Sequence, residues 1–433
     1  MTKKQTEKQQ LFGTDGIRGR LGQGLITPEA FLRLGFALGQ LFTGRVCLGY
    51  DGRASGEVLQ HALISGLTAS GVMVEILGVV PTPLVANWVK KNRLQAGIMI
   101  TASHNDARDN GVKIFNSRGE KITQEQKLQL EEHLINNKQM ISKRMGSSKD
   151  CANEGKQAYI EHIGKALRSN HLGGLKVVID PAYGACSQIA KPLFESFGIE
   201  VKMIHDQADG YNINQNSGST NPQRLQAAVL ENGADMGVAF DGDGDRCVLV
   251  DNQGRILDGD NMLCIIANSA LSSDRVVTTK MANPGLLSYF QQKRVGVVVT
   301  EVGDQHVYQA MQKHKINIGA EPNGHMIITP WCQGGDGPLS ALMCMNESVM
   351  SARSLAEWHD SLVKFPQKLL ALSYDCTEEC QQLQDKVQTI LSQAVGVKSN
   401  IRKSGTEPVL RVLLQAEPGE ELLLDKLERQ LIA

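Results

Sequence analysis

Three carboxylates alternate with glycines in Asp241-Gly242-Asp243-Gly244-Asp245, and Arg246 follows directly. Glycine lets the backbone curl far enough for all three acids to turn an oxygen toward one hard cation. A calcium-binding EF-hand loop also carries acids at its first, third and fifth positions, but it needs glycine at the sixth and glutamate at the twelfth. Arg246 and Asn252 occupy those places, and the flanks MGVAF and CVLVD read as strands rather than helices. The plain alternative is a solvated turn. The preferred reading is a Mg²⁺ site, with Arg246 poised for a nearby anion.

Four further segments hold reactive or anion-binding groups. In ITASHND, Ser103 and His104 fall just past a strand end, where Ser103 suits a nucleophile or a phosphate carrier. A lone Ser-His pair is more often a turn or a helix cap. Asp109-Asn110-Gly111 is the expected hairpin turn, returning the chain so that Lys113 faces the serine loop. A cation there suits a phosphoryl group in transfer. Ser404 and Glu407 have the spacing of a helix capping box, but Pro408 and the alternating run VLRVLL point to a strand instead. Arg402, Ser404, Gly405, Thr406 and Arg411 then read as donors for a phosphate. Glu321-Pro-Asn323-Gly-His325 offers a carboxylate, an amide and an imidazole suited to sugar hydroxyls, although a turn is the simpler reading of Pro-Asn-Gly. Arg18 sits among glycines in Gly13-Thr-Asp-Gly-Ile-Arg-Gly. Together these are the parts for phosphoryl transfer on a small polyol.

The elements that must hold these loops alternate apolar β-branched runs with amphipathic stretches, the pattern of an α/β chain. Strands are expected at 46–51, 73–78, 96–103, 111–115, 175–180, 201–204, 236–241, 247–251, 276–280, 295–300 and 316–320, with helices between many of them. The lysine-rich stretch 136–150 reads as a linker. The tail from about 370 shows one helical run and one alternating strand. The expected fold is therefore three similar mixed α/β domains plus a smaller C-terminal α+β domain, at 1–150, 151–252, 253–369 and 370–433. Ligands of such sheets lie at the carboxyl ends of strands, so the three polar loops are expected to converge on a central cleft.

A chain of 433 residues accommodates this organisation. It has 45 basic and 46 acidic residues, so no basic excess points to a bulk nucleic-acid partner. No run approaches the length of a membrane span, and MTKKQTEKQQ lacks the apolar core of a secretory signal. Nine scattered cysteines argue against a disulfide framework and for a reducing cytoplasm. Cys376 and Cys380 could share a helix face, but no second ligand pair accompanies them.

Taken together, LFGTDGIRG, PTP, TASHN, DNGVKIF, GYNINQNSGST, AFDGDGDR, EVGD, AEPNGH and RKSGTEPVLRV resemble the α-D-phosphohexomutase superfamily over nearly the whole chain. KSGTEP with FGTDGIRG is most similar to the phosphoglucosamine mutase branch. The resemblance implies four domains around a cleft and a phosphoserine at Ser103. It implies Mg²⁺ held by Asp241, Asp243, Asp245 and the phosphate on Ser103, with Arg18, His104 and Lys113 at the reacting centre. Glu321, Asn323 and His325 would face the sugar, and Arg246, Arg402, Ser404, Gly405, Thr406 and Arg411 would bind substrate, the last five on the phosphate that stays put. The implied reaction interconverts glucosamine 6-phosphate and glucosamine 1-phosphate through a 1,6-bisphosphate, with a hexose 1,6-bisphosphate as activator. Lys113 and His325 both remain open as general acid or base. A sister mutase of glucose or mannose phosphates, or a sugar-phosphate binding protein without turnover, are the alternatives. The expected partner is a small sugar phosphate, with neither nucleic acid nor membrane, and a homodimer is left open.

The chain departs from the family pattern at Asp51-Gly-Arg53 for Asp-Thr-Arg, at Asp106 for proline, at Gln305 for arginine, and at Pro322-Asn323 for Gln-Ser.

Overall fold

A computed structural model describes residues 12–13, 16–136, 141–168, 172–269, 274–403 and 408–432. Four sheets are built in chain order. The first has six strands, in spatial order Ile17–Arg20, Asp109–Asn116, Ala96–Ile100, Arg45–Tyr50, Met73–Val79 and Ser148–Asp150. The second has five, in the order Ile256–Leu257, Cys247–Asp251, Met236–Phe240, Lys176–Asp180 and Glu200–Met203. The third has four, Gly296–Thr300, Arg275–Thr279, Ile318–Ala320 and Met326–Ile328.

One device recurs in all three. A parallel strand (Ala96–Ile100, Met236–Phe240 or Ile318–Ala320) ends in a polar loop, and the chain returns in an antiparallel neighbour. The strands before the first two loops, AGIMI and MGVAF, are buried along their whole length, as parallel strands covered by helices on both faces must be. The loops after Ile100, Phe240 and Ala320, which hold Ser103, residues 241–245 and residues 321–325, are therefore equivalent positions at the carboxyl ends of strands.

The fourth sheet is wholly antiparallel, with Val409–Gln415 between Gln367–Ser373 and Lys398–Lys403. Helices Thr377–Ser392 and Glu421–Ile432 complete it. Its core of Leu370, Val387, Leu410, Val412, Leu424 and Leu427 is its own. The first three sheets are joined by one continuous core that includes Trp88, Phe115, Tyr159, Phe240, Phe290 and Leu339, and each also has a further cluster on its other side, the largest around Leu48, Ile98 and Val112 of the first. No described helix is long and apolar enough to cross a membrane.

Three sequence expectations are corrected. The supposed linker contributes Ser148–Asp150 as the edge strand of the first sheet, pairing with Met73–Val79; residues 137–140 of it lie outside the described part. Helix Ala152–Ala166 then packs back on the same sheet. The tail holds three strands and two helices rather than one of each, because KSNIRK is a polar edge strand without the alternation that marks a half-buried one. Asp109-Asn110-Gly111 is not the hairpin turn but the start of a strand; the turn falls at 103–108. Gly111 is used for close approach: a Cβ there would lie 2.2 Å from the Ile17 carbonyl oxygen and 2.7 Å from that of Thr101.

Candidate active site

Ser103 occupies the left-handed region, with φ 52°, which non-glycine residues adopt only when their surroundings impose it. Its amide donates to Thr101 Oγ1 at 2.8 Å, and Thr101 in turn donates to Asp51 Oδ2 at 2.6 Å. Arg53, almost wholly buried, spans the loop from beneath. Its Nε pairs with Asp51 at 2.8 Å, and its guanidinium donates to the carbonyls of Ser103, Asn105, Asp106 and Asp109. The hydroxyl so aimed donates to Asp241 Oδ2 at 2.8 Å, across to the second sheet.

Asp241, Asp243 and Asp245 are all buried, and each has a carboxylate oxygen within 4.8 Å of the others'. Among the described residues they form the only cluster of acids, histidines or cysteines with metal-binding geometry. Asp243 Oδ1 and Asp245 Oδ1 are buried without a hydrogen-bond donor. A divalent cation of oxygen preference is the group that such orphaned oxygens fit. Burial, with the charges of Asp245 and Asp243, pushes Asp241 up to about 8. Burial also acts upward on Asp245, but Lys113, His325 and Arg246 outweigh it and hold that carboxyl well below the ordinary range. Lys113, only 1% exposed, donates from Nζ to Asp243 Oδ2 and to Asp245 Oδ2, both at 2.6 Å.

The loop's backbone is seated by amides at helix starts of all three units. The Gly242 carbonyl accepts from Ala185 N at 2.8 Å, that of Asp243 from Thr82 N at 2.9 Å, and that of Gly244 from Gly337 N at 3.0 Å. Thr82 also donates its hydroxyl to Asp243 Oδ2.

The basic groups surround this centre. Arg246 lies 3.6 Å from Asp245 Oδ1 through Nε and 3.2 Å from His104 Nδ1 through Nη1. Burial, and the cations Arg246 and Arg18, push His104 down to about 3, so its imidazole is neutral and can accept from Arg246. His325 lies 3.8 Å from Asp245 Oδ1 and 3.5 Å from Asp304 Oδ2. Burial works against its proton, yet Asp245, Asp304 and Glu321 prevail and raise its pKa. A cavity of about 410 Å³ adjoins these groups and is lined in part by Thr82, Lys113, Asp245, Asp304, Gln305 and His325.

In the loop 321–325, Glu321 Oε1 accepts the Gly303 amide at 3.0 Å. Asn323 is exposed, and its Oδ1 accepts the His325 amide at 3.0 Å. Arg402 and Arg411 stand directly opposite in the fourth sheet. Partial burial, and then Arg411, lower the Arg402 pKa, while Glu321 opposes this. Two like charges in register disfavour the strand pair. Ser404, Gly405 and Thr406 lie outside the described residues.

The structure thus gathers Ser103, His104, Lys113, the three aspartates, Arg246 and His325, with Arg18 beside His104. Sequence reasoning assigned no role to Arg53, Thr82, Asn214 or Asp304. Arg53 had a signal, a cation two residues past a strand end on the ligand side of a sheet. Thr82 had only its place in Pro-Thr-Pro.

Family models for phosphoglucomutase/phosphomannomutase match in chain order: alpha/beta/alpha domain I at residues 9–140, domain II at 157–254 and domain III at 258–365. The chain belongs to this family, the α-D-phosphohexomutases, and is an enzyme, a mutase of the isomerase class. Among curated proteins it is similar to the phosphoglucosamine mutase of Limosilactobacillus reuteri, with 39% identity over 95% of each chain. The solved structure of a phosphoglucomutase/phosphomannomutase family protein from Burkholderia thailandensis superposes with a TM-score of 0.80 at 24% identity, covering 98% of this chain and 97% of that one. The Aspergillus fumigatus N-acetylphosphoglucosamine mutase, solved with GlcNAc-6P and magnesium, superposes at 0.67 with 18% identity, covering 98% and 95%.

Proposed function

We propose that this mutase interconverts glucosamine 6-phosphate and glucosamine 1-phosphate, with Ser103 carrying the transferred phosphate. Support for the substrate comes from the identity to phosphoglucosamine mutases along nearly the full chain. The observation that carries the chemistry is the Ser103 hydroxyl, held in a left-handed turn 2.8 Å from a buried carboxylate of the aspartate cluster.

Asp241, Asp243 and Asp245 would hold Mg²⁺ together with the serine phosphate, and the ion would supply charge neutralisation at the transferring oxygens. Phosphorylated Ser103 donates its phosphate to the free hydroxyl of the bound sugar, giving a 1,6-bisphosphate. The sugar turns end for end, and its other phosphate returns to the serine. Arg53 keeps the carrier loop in place through both transfers. Lys113 and His325 both reach Asp245, one on each oxygen, and are the candidate general acid and base beside the site. Arg246 keeps its orientation by leaning on neutral His104. Glu321, Asn323 and His325 face the sugar. Arg402 and Arg411, with Ser404, Gly405 and Thr406, grip the phosphate that is not moving, whichever end it is on. The four working units are 1–150, 151–252, 253–369 and 370–433.

The test is a coupled mutase assay with glucosamine, glucose and mannose phosphates, primed with hexose 1,6-bisphosphate. Glucosamine phosphate should give the highest kcat/KM, and intact mass should show one added phosphate on the parent but none on Ser103→Ala. Parental turnover in Ser103→Ala would refute the carrier role, and a preference for glucose or mannose phosphate would refute the substrate.

A further inference from the structure

The Ser103 carbonyl accepts two hydrogen bonds, from Arg53 Nη2 at 3.0 Å and from Asn214 Nδ2 at 2.9 Å. The Asn105 carbonyl accepts from the same two side chains, both at 2.9 Å. A carbonyl has two lone pairs, so both groups are filled. Arg53 follows strand Arg45–Tyr50 and belongs to the serine's own sheet. Asn214 comes from the loop between strand Glu200–Met203 and helix Gln223–Glu231 of the second unit. We infer that Asn214 is a positioning residue for phosphoryl transfer: its amide fixes the carrier loop of the first unit against the metal loop of the second.

Three observations support this. First, Asn214 is itself left-handed, with φ 61°, a conformation in which asparagine is the best tolerated residue after glycine. Its backbone is anchored within the second unit: its amide donates to the Ala182 carbonyl at 2.9 Å, and Asp180 takes the amides of Ala182 and Gly218, each at 2.9 Å. Second, the orientation of the side-chain amide has one solution. Rotating it would set its oxygen against two carbonyl oxygens, so the NH₂ group must face them and Oδ1 is left buried without a donor. Third, the metal loop lies directly on this junction. A Cβ on Gly242 would be 2.6 Å from the Ser103 carbonyl oxygen and 2.7 Å from Asn214 Nδ2. A shift of the carrier loop is therefore a shift against Asp241, the acceptor of the Ser103 hydroxyl.

The inference rests on the reading of Ser103 as the phosphate carrier. Two variants separate the amide from the backbone. Asn214→Gly keeps the left-handed turn and removes the donor. Asn214→Asp keeps the shape and sets an acceptor against two carbonyls. Intact-mass time courses would follow phosphate transfer from glucose 1,6-bisphosphate to Ser103, beside steady-state kcat and KM and a thermal melt. A misplacement of this kind is expected to cost about 10- to 100-fold in rate. Asn214→Gly should lose that much in both the transfer rate and kcat, with KM for the sugar phosphate within about twofold of parent because no substrate contact is removed. Asn214→Asp should lose at least as much, and if it fails to fold, Asn214→Gly alone decides. Parental kcat in Asn214→Gly, or a loss that appears only as a lower melting temperature, would overturn the inference. Ser103→Ala is run in parallel. If it retains turnover, the carrier reading has failed; if it is inactive while Asn214→Gly is unimpaired, only the positioning role has.

Discussion

Replacing Lys113 by methionine removes a charge and keeps most of the volume. Lys113 Nζ holds two buried carboxylates at 2.6 Å each. Breaking a buried pair by deleting one partner costs about 3–5 kcal/mol, because the other charge is left uncompensated. Asp243 retains the Thr82 hydroxyl, and Asp245 retains Arg246 and His325, which places the loss near the lower figure. In a cooperative unit of roughly 370 residues, at about 2.1 cal/mol/K per residue, about 3 kcal/mol corresponds to a fall of roughly 4 °C in melting temperature. That fall belongs to the metal-free protein, because a divalent cation in the aspartate cluster supplies the missing positive charge. At about 100 times its dissociation constant a ligand returns about 2.7 kcal/mol. Differential scanning fluorimetry of Lys113→Met and parent, with chelator and then with Mg²⁺, should show a larger Mg²⁺-induced rise in the variant. Activity should stay low even with the ion. A metal-free melt within about 2 °C of parent, or equal Mg²⁺ shifts in both proteins, would refute the electrostatic account.

Other expectations concern the surroundings of the site. Burial pushes Asp336 up to about 6, against the bonds from Tyr159 and the Leu339 amide. A carboxyl raised in this way favours the folded state fully below its unfolded pKa of 3.8, and loses that contribution as pH rises toward 6. Asp336→Asn should therefore flatten the fall of stability between those values, which urea titrations at several pH values will check. Arg402→Ala should raise KM for every sugar phosphate alike without lowering the melting temperature of the unliganded protein, since it relieves a cross-strand repulsion. Asn323→Ser should instead shift kcat/KM ratios between glucosamine and glucose phosphates, by up to roughly tenfold; unchanged ratios there, with changed ratios in Arg402→Ala, would reverse the two roles. Gly111→Ala should destabilise by about 1–3 kcal/mol, because its Cβ meets main chain on both sides, and a parental denaturation midpoint would show that the strands can part.

The metal loop was legible because its pattern is chemical: acids alternating with glycines have few other uses. The serine loop was legible from its position past an apolar strand, and the order of the motifs carried the family. Asn214 was not legible and Arg53 was marked only by its place past a strand end, because their partners in the serine loop are carbonyl oxygens, and a main-chain acceptor leaves no mark in the sequence of side chains. Asp109-Asn110-Gly111 misled for a related reason. The glycine that marks a turn is also the glycine that lets two neighbouring backbones approach, and only the packing of Ile17–Arg20 against this strand distinguishes the two. The polar strand Lys398–Lys403 gave no periodicity, since it lies at a sheet edge and exposes much of its length.

The separation of the cores has a consequence for cooperativity. One continuous core runs through sheets one to three, beside smaller clusters on each, and three amides, one from each of these units, close on the 241–245 loop, so these parts should open as one cooperative unit. The fourth sheet has its own core, and among the described residues it is tied to the third by the Asn283 side chain, bonded to Phe365 and Gln367, and by Gln415, which donates to the Ala282 carbonyl at 3.0 Å. It can unfold or swing sub-globally without disturbing the aspartates. On the proposed reaction, releasing a sugar at one end and recapturing it at the other asks the proposed phosphate grip to let go while the transfer centre keeps its shape. Those two demands fall on different folding units, and amide exchange should find the strands around Val409–Gln415 opening well before those around Met236–Phe240.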